Sequence, residues 1–169
     1  MKRIGLLSDT HGYLDDRIIA YLTECDEIWH AGDIGNLETA QKLSGLKTLR
    51  AVAGNVDGNN LRMDYPIRLR FFCEDVDVLM IHIGGYPGHY SSAIRKEINF
   101  LSPRLFISGH SHILKVIYDN KYKLLHINPG AAGIQGFHQI RTLTRFSIDK
   151  DVIKDLEVIE LGHKGIISM

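Results

Sequence analysis

Short apolar runs alternate along the chain with abrupt polar, glycine-rich breaks, and that rhythm predicts its elements. Lys2 to Ser8 is apolar without polar alternation, as in a strand buried on both faces, and stops at Asp9-Thr10-His11-Gly12. From Leu14 to Cys25 the residues Ile18, Ile19, Leu22 and Cys25 recur at helical spacing, with Asp15 and Asp16 in a first turn where the helix dipole favours acid. Glu27 to Ala31 reads as a second strand that runs into Gly32-Asp33-Ile34-Gly35. Asn36 is placed to cap a helix through Leu43, with Gly45 marking its end. Leu46 to Ala53 makes a third strand, followed by the loop Gly54-Asn55-Val56-Asp57-Gly58-Asn59-Asn60.

The second half repeats this grammar with more strand. Ile67 to Phe72 and Val76 to His82 read as neighbouring strands turning at Glu74-Asp75. The loop Gly84-Gly85-Tyr86-Pro87-Gly88 leads to a helix capped near Ser91 or Ser92, with Ile94, Ile98 and Leu101 on one face and Pro103 beyond it. Arg104 to Ser108 is a strand that delivers Gly109-His110-Ser111-His112. Leu114 to Tyr118 and Lys123 to Ile127 bracket a hairpin turn at Asp119-Asn120, and Arg141 to Ile148 and Val152 to Leu161 close the pattern as strands. No repeat or linker interrupts it, so the reading is one compact α/β domain over residues 1–169 with a mixed sheet region.

Composition narrows the function classes. With 44% hydrophobic and 24% charged residues the chain is an ordinary globular one, and 20 basic residues against 20 acidic give no strong case for nucleic acid. No run approaches the ~20 apolar residues of a membrane helix, and Ile4 to Leu7 is too short for a signal peptide, so no membrane partner and a cytoplasmic location are expected. Cys25 and Cys73 stand alone in their segments, which suits a reducing compartment. The anomaly is nine histidines, several of them beside Asp, Gly or another His at strand ends.

Five successive strands end in a loop with a metal-compatible side chain: Asp9 and His11, then Asp33, Asn55, His82, and His110 with His112. In open α/β sheets the strand ends form the ligand crevice, so these loops are expected to meet. Carboxylate, amide and imidazole without thiolate suit Mn, Fe, Zn or Co better than Ca or Cu(I). Seven groups exceed one ion's needs and suffice for two that share a carboxylate.

In this order Asp9-x-His11, Gly32-Asp33, Gly54-Asn55-x-Asp57, His82 and Gly109-His110-Ser111-His112 resemble the calcineurin-like metallophosphoesterase superfamily. The short length points to its small bacterial and archaeal phosphodiesterase branch, related to the Vps29 retromer subunit. The resemblance implies a four-layer α/β/β/α sandwich of two mixed β-sheets flanked by helices. It also implies two divalent ions, manganese first, with zinc, iron, cobalt or nickel compatible. Carried over residue by residue, Asp9, His11, Asp33 and His112 would hold one ion, and Asp33, Asn55, His82 and His110 the other. Asp33 would bridge them through its two oxygens, and a hydroxide between the ions would attack a small phosphoester. Asn55 would also donate its amide to a phosphate oxygen. Asp57 would brace the site, either as acceptor for a ligand histidine such as His11 or His82 or as a loop cap, while Asn128-Pro129-Gly130 would shape the loop beside it.

Two departures bear on substrate. Val56 stands where many phosphomonoesterases of the superfamily carry a proton-donating His, which favours activated phosphodiesters, since general acid help is worth about 10²–10⁴-fold. Ile83 follows His82 where the superfamily usually has Gly and often a further His, so His89 is the candidate replacement acid. Arg95 and Lys115 read as solvated cations, and His30, His126, His138 and His163 as structural. A Vps29-like protein-binding scaffold and a phosphomonoesterase of the same fold are the alternatives, and a homo-oligomer stays open.

Overall fold

A computed structural model describes residues 1–165; the last four residues of the expected 1–169 unit lie outside the described residues. Two five-stranded mixed sheets face one another. The first has the order β10-β9-β1-β2-β3, built from β1 (Lys2–Leu7), β2 (Glu27–His30), β3 (Thr48–Ala51), β9 (Ile140–Asp149) and β10 (Val152–His163). The second has the order β4-β5-β6-β8-β7, built from β4 (Arg68–Cys73), β5 (Val76–Ile81), β6 (Leu105–Ile107), β7 (Lys115–Asp119) and β8 (Leu124–Asn128). β1, β2 and β3 run parallel, as do β5, β6 and β8, while β9 and β10 at one edge of the first sheet and β4 and β7 at the edges of the second run antiparallel to their neighbours.

The layers follow from strand alternation. Ile4 and Leu6 of β1, Val76, Val78 and Met80 of β5, and Leu105 and Ile107 of β6 point between the sheets and form the inner core with Trp29. The alternate residues face outward: Leu7 meets Ile18 and Leu22 of α1 (Asp16–Thr23) and Leu43 of α2 (Leu37–Leu46). On the other side Leu79 and Phe106 meet Ile94 and Ile98 of α4 (Ser92–Phe100). The result is the α/β/β/α sandwich, with both central strands buried on two faces. Trp29 anchors β2 edge-on against Phe71 and Phe146, with centroids 5.0 and 5.7 Å away, and its indole N–H donates to Glu27 at 3.0 Å. No helix among the described residues is long and apolar enough to cross a membrane.

Local deviations have physical reasons. Asp15 sits before the helix, not in its first turn, and caps it by accepting from the Ile18 N–H at 2.9 Å. Asn36 caps α2 as expected, but that helix runs through Gly45 to Leu46, because Leu46 packs on the outer core and outweighs the weak helix preference of glycine. The third strand is correspondingly short. Residues 59–64 form a helix, α3 (Asn59–Asp64), where a loop was expected; buried Leu61 packs it against Ile34, Ala40 and Ala51.

Candidate metal centre

Every predicted ligand lies just beyond the C-terminal end of a strand: Asp9 and His11 after β1, Asp33 after β2, Asn55 after β3, His82 after β5, and His110 and His112 after β6. The backbone there is unusual. Asp9, His11, Asp33, His110 and His112 all have positive φ, between 46° and 71°. Each such residue costs on the order of 1–3 kcal/mol and persists only where its surroundings hold it. The other left-handed non-glycine residues among those described, Glu74, Lys123, Lys150 and Asp155, fall at turns between strands and at a β10 bulge. Glycine makes the close approach possible: a Cβ on Gly54 would lie 2.0 Å from Asp33 Oδ1, and one on Gly109 would lie 2.3 Å from Ser8 Oγ.

The side chains form two groups whose donor atoms lie within 4.8 Å of one another, Asp9 with His11 and His112, and Asp33 with His82 and His110. Each carboxylate is tied by one oxygen and offers the other. Asp9 Oδ2 accepts from the Ser8 hydroxyl at 2.7 Å and the His110 N–H at 3.2 Å, leaving Oδ1 towards His112 Nε2 at 3.1 Å. Asp33 Oδ1 accepts from the Val56 N–H at 3.1 Å, leaving Oδ2 towards His82 Nε2 at 3.1 Å and His11 Nε2 at 3.7 Å. Asn55 Oδ1 lies 3.1 Å from His110 Nδ1.

Three tests show that this donor set fits divalent ions. Asp9 Oδ1, His11 Nε2 and His82 Nε2 are buried polar atoms without a hydrogen-bond partner, which is costly unless another group claims them. The 3.1 Å pairs are near each other without being aimed at each other; two ligands each about 2.1 Å from an ion and nearly perpendicular stand about 3 Å apart. The charges agree as well. Burial pushes the Asp9 and Asp33 carboxyls up, but the imidazoles of His112 and His82 near Asp9 and of His82 near Asp33, with hydrogen bonds from Ser8 and Val56, hold both below the ordinary range. Burial pushes His82 down, yet the carboxylates of Asp33 and Asp9 hold it above the ordinary imidazole value. Two buried carboxylates thus demand positive charge at this point.

The surrounding residues divide clearly. Asp57 does not meet a ligand histidine; it clamps three loops by accepting from the backbone N–H groups of Ile34, Gly35 and Gly54 at 2.8–3.1 Å. His82 instead pairs its Nδ1 with the Ala31 carbonyl at 2.7 Å. His30 is fully buried between Thr10 and the Gly32 N–H, and burial pushes it down to about 4; His126, held by the Phe106 carbonyl, also falls to about 4 through burial. Asn128 ties the His110 loop by donating to the Gly109 carbonyl and to Ser111, both at 3.1 Å. His138, read from the sequence as structural, touches His112, and only its 26-residue separation from His112 hid this. His89 is exposed with its ring against Tyr86 and belongs to neither group. Val56 is half exposed beside Asp33.

Open space lies on both sides of the ligands. A cavity of about 220 Å³ is bounded by Asn55, His82, Arg62, Ile67 and Ile83, and one of about 660 Å³ by His110, His112, Phe137 and Ile140. Lys115 stands over the Tyr86 ring at 3.3 Å beside a smaller cavity that reaches His110. Arg95 lines a separate cavity of about 490 Å³ that contains none of the ligands.

Residues 1–151 match the family model of the calcineurin-like phosphoesterase superfamily domain. A probable metallophosphoesterase of Mycoplasma pneumoniae is 30% identical over 166 residues, covering 92% of this chain and 96% of that protein. Among solved structures, an archaeal phosphodiesterase superposes with a TM-score of 0.72 at 22% identity, over 94% of this chain and 99% of its own. Vps29 of Entamoeba histolytica complexed with Zn²⁺ superposes with a TM-score of 0.72 at 14% identity, over 94% and 98%. At these identities the two structures speak for the fold.

Proposed function

This chain belongs to the calcineurin-like phosphoesterase superfamily, and from that premise we propose that it hydrolyses small phosphodiesters through a two-metal centre. Membership makes it a metal-binding phosphoester hydrolase; the ion count, the manganese preference and the diester class are our reading. The observation that carries it is the meeting of the two donor groups: Asp33 Oδ2 lies 3.1 Å from His82 Nε2 and 3.7 Å from His11 Nε2, and Asp9 Oδ1 lies 3.1 Å from His112 Nε2 and 3.7 Å from His82 Nε2.

In this reading Asp9, His11, Asp33 and His112 hold one ion, and Asp33, Asn55, His82 and His110 the other. Two divalent ions bound there would supply hydroxide near neutral pH and polarise the phosphoryl oxygens. The chain's own residues supply geometry and charge. Asp9 and Asp33 offset positive charge with oxygens already fixed by hydrogen bonds on their other side, so little reorganisation accompanies binding. Asn55, whose Oδ1 turns to His110, keeps its amide N–H groups for a phosphoryl oxygen.

Two features favour a diester. A diester carries an ester group on each side of phosphorus, and a partly apolar cavity flanks each side of the ligands. Val56 offers no proton to a basic leaving group, so the reaction favours alcohols that leave as stable anions. The test compares kcat/KM of the metal-reconstituted protein on an aryl phosphodiester, the matching aryl monoester and a cyclic nucleotide. The diester is expected to lead the monoester by about 10-fold or more, the lower end of what a missing general acid accounts for. A faster monoester would overturn the diester reading.

A further inference from the structure

We propose that His138 is a positioning residue for the metal centre, fixing the tautomer of His112 so that the bare His112 Nε2 faces the ion. The inference rests on the reading of His112 as a ligand. His112 Nδ1 lies 3.2 Å from His138 Nδ1, and His138 Nε2 lies 2.8 Å from the Gly133 carbonyl oxygen. A carbonyl only accepts, so His138 Nε2 carries a hydrogen, and in a neutral ring its Nδ1 is then bare. The hydrogen in the ring-to-ring contact must therefore belong to His112 Nδ1. That leaves His112 Nε2 bare, 3.1 Å from Asp9 Oδ1.

Which imidazole nitrogen binds an ion is decided by the partner of the other. His82 uses the simpler form of this device, with Nδ1 on the Ala31 carbonyl. At His112 a second ring is interposed, and beyond it the Gly133 N–H donates to the Asp9 backbone carbonyl at 3.2 Å, so the relay runs from His112 to a second residue of the same donor group. The approach depends on Gly136, which has φ +126° and packs on the His112 ring; a Cβ there would lie 2.2 Å from His112 Nδ1. The two rings cross at 79° with centroids 5.1 Å apart, which suits a hydrogen bond in the plane of one ring better than stacking.

Two side chains separate the relay from mere anchoring of the 133–138 loop. In His138→Asn the amide oxygen can take the place of Nδ1 and accept from His112, but the side chain is too short to reach Gly133. In His138→Gln the amide can reach the Gly133 carbonyl but leaves no acceptor for His112. Calorimetric titration of Mn²⁺ and of Zn²⁺ into the metal-free proteins is expected to show His138→Gln losing about 10–100-fold in affinity for one ion, with His138→Asn within a few-fold of the parent. The reverse order, or equal losses, would overturn the proposal. The second readout needs no metal: long-range ¹H–¹⁵N spectra of the metal-free parent, taken well above the imidazole pKa, should show His112 protonated on Nδ1 and His138 on Nε2. A His112 proton on Nε2 would overturn the relay. A parent that binds neither ion would instead overturn the metal reading of the site, with the tautomer spectra still deciding the relay.

Discussion

The two donor groups differ in what stands behind them. At Asp9 and His112 of the first group the support is continuous: Asp9 is fully buried and tied by Ser8 and the His110 N–H, and His112 rests on His138. Around Asp33, His82 and His110 the core side is equally firm, with His82 fixed to Ala31 and Asp33 to Val56. Its outer side is open. His110 and Asn55 are exposed, and their side chains meet each other at 3.1 Å. The first half is preorganised at Asp9 and His112, and the second only where it touches the core. Preorganisation lowers the cost of binding, so the first half should hold its ion more tightly and the second should exchange its ion and admit substrate.

The largest effect should come from the residue proposed to serve both halves. Asp33→Asn is expected to remove turnover to background and to weaken both ions. His110→Ala and His112→Ala should each spare one ion, measured as metal per chain after gel filtration. Loss of a single ion in Asp33→Asn would break the symmetry of its role. Next comes pH. Ligand imidazoles bind only when neutral, so metal affinity falls as pH drops through their range. At His82 burial acts downward, but Asp33 and Asp9 hold the proton above the ordinary value of 6.5, so protons compete with metal at this residue already near neutral pH. Occupancy should fall from two ions towards one before the last is lost, and simultaneous loss would contradict the asymmetry.

A separate acid effect belongs to the fold. His30 and His126 are held neutral by burial at about 4, against 6.5 when unfolded. The unfolded chain binds more protons between these values, so this stability is complete above 6.5 and is lost as pH falls towards 4, by up to about 3 kcal/mol for each histidine. Urea unfolding of the metal-free protein across that window measures it; a flat midpoint would contradict neutral burial.

The smallest expected effect concerns the open side. Val56→His places an imidazole beside the second group and should raise the rate on alkyl esters, up to the ~10²-fold lower end of general acid catalysis, with little change on aryl esters. If the His89 loop already closes to supply that proton, His89→Ala should depress alkyl substrates alone. A uniform effect across leaving groups from both changes would exclude both positions as donors.

The strand ends were legible because polar and glycine residues interrupt apolar runs so sharply, and the candidate ligands sit at those interruptions. The left-handed backbone at Asp9, His11, Asp33, His110 and His112 was not, since local preference argues against it and only tertiary hydrogen bonds such as His11 N–H to the Asp33 carbonyl impose it. The helix at residues 59–64 was hidden because its pattern has a single buried position, Leu61. The long-range partners of Asp57 and His138 were hidden for a related reason: Asp57 reaches Ile34 and Gly35, and His138 touches His112, each 20 or more positions away, a distance across which spacing carries no signal.

The most direct measurement is a calorimetric titration of Mn²⁺ into the metal-free protein, with elemental analysis of the product. Two ions per chain should enter in resolved steps, the tighter step vanishing in His112→Ala and the weaker in His110→Ala. One ion per chain, or two steps that respond alike to both substitutions, would contradict a centre built from two unequally supported halves.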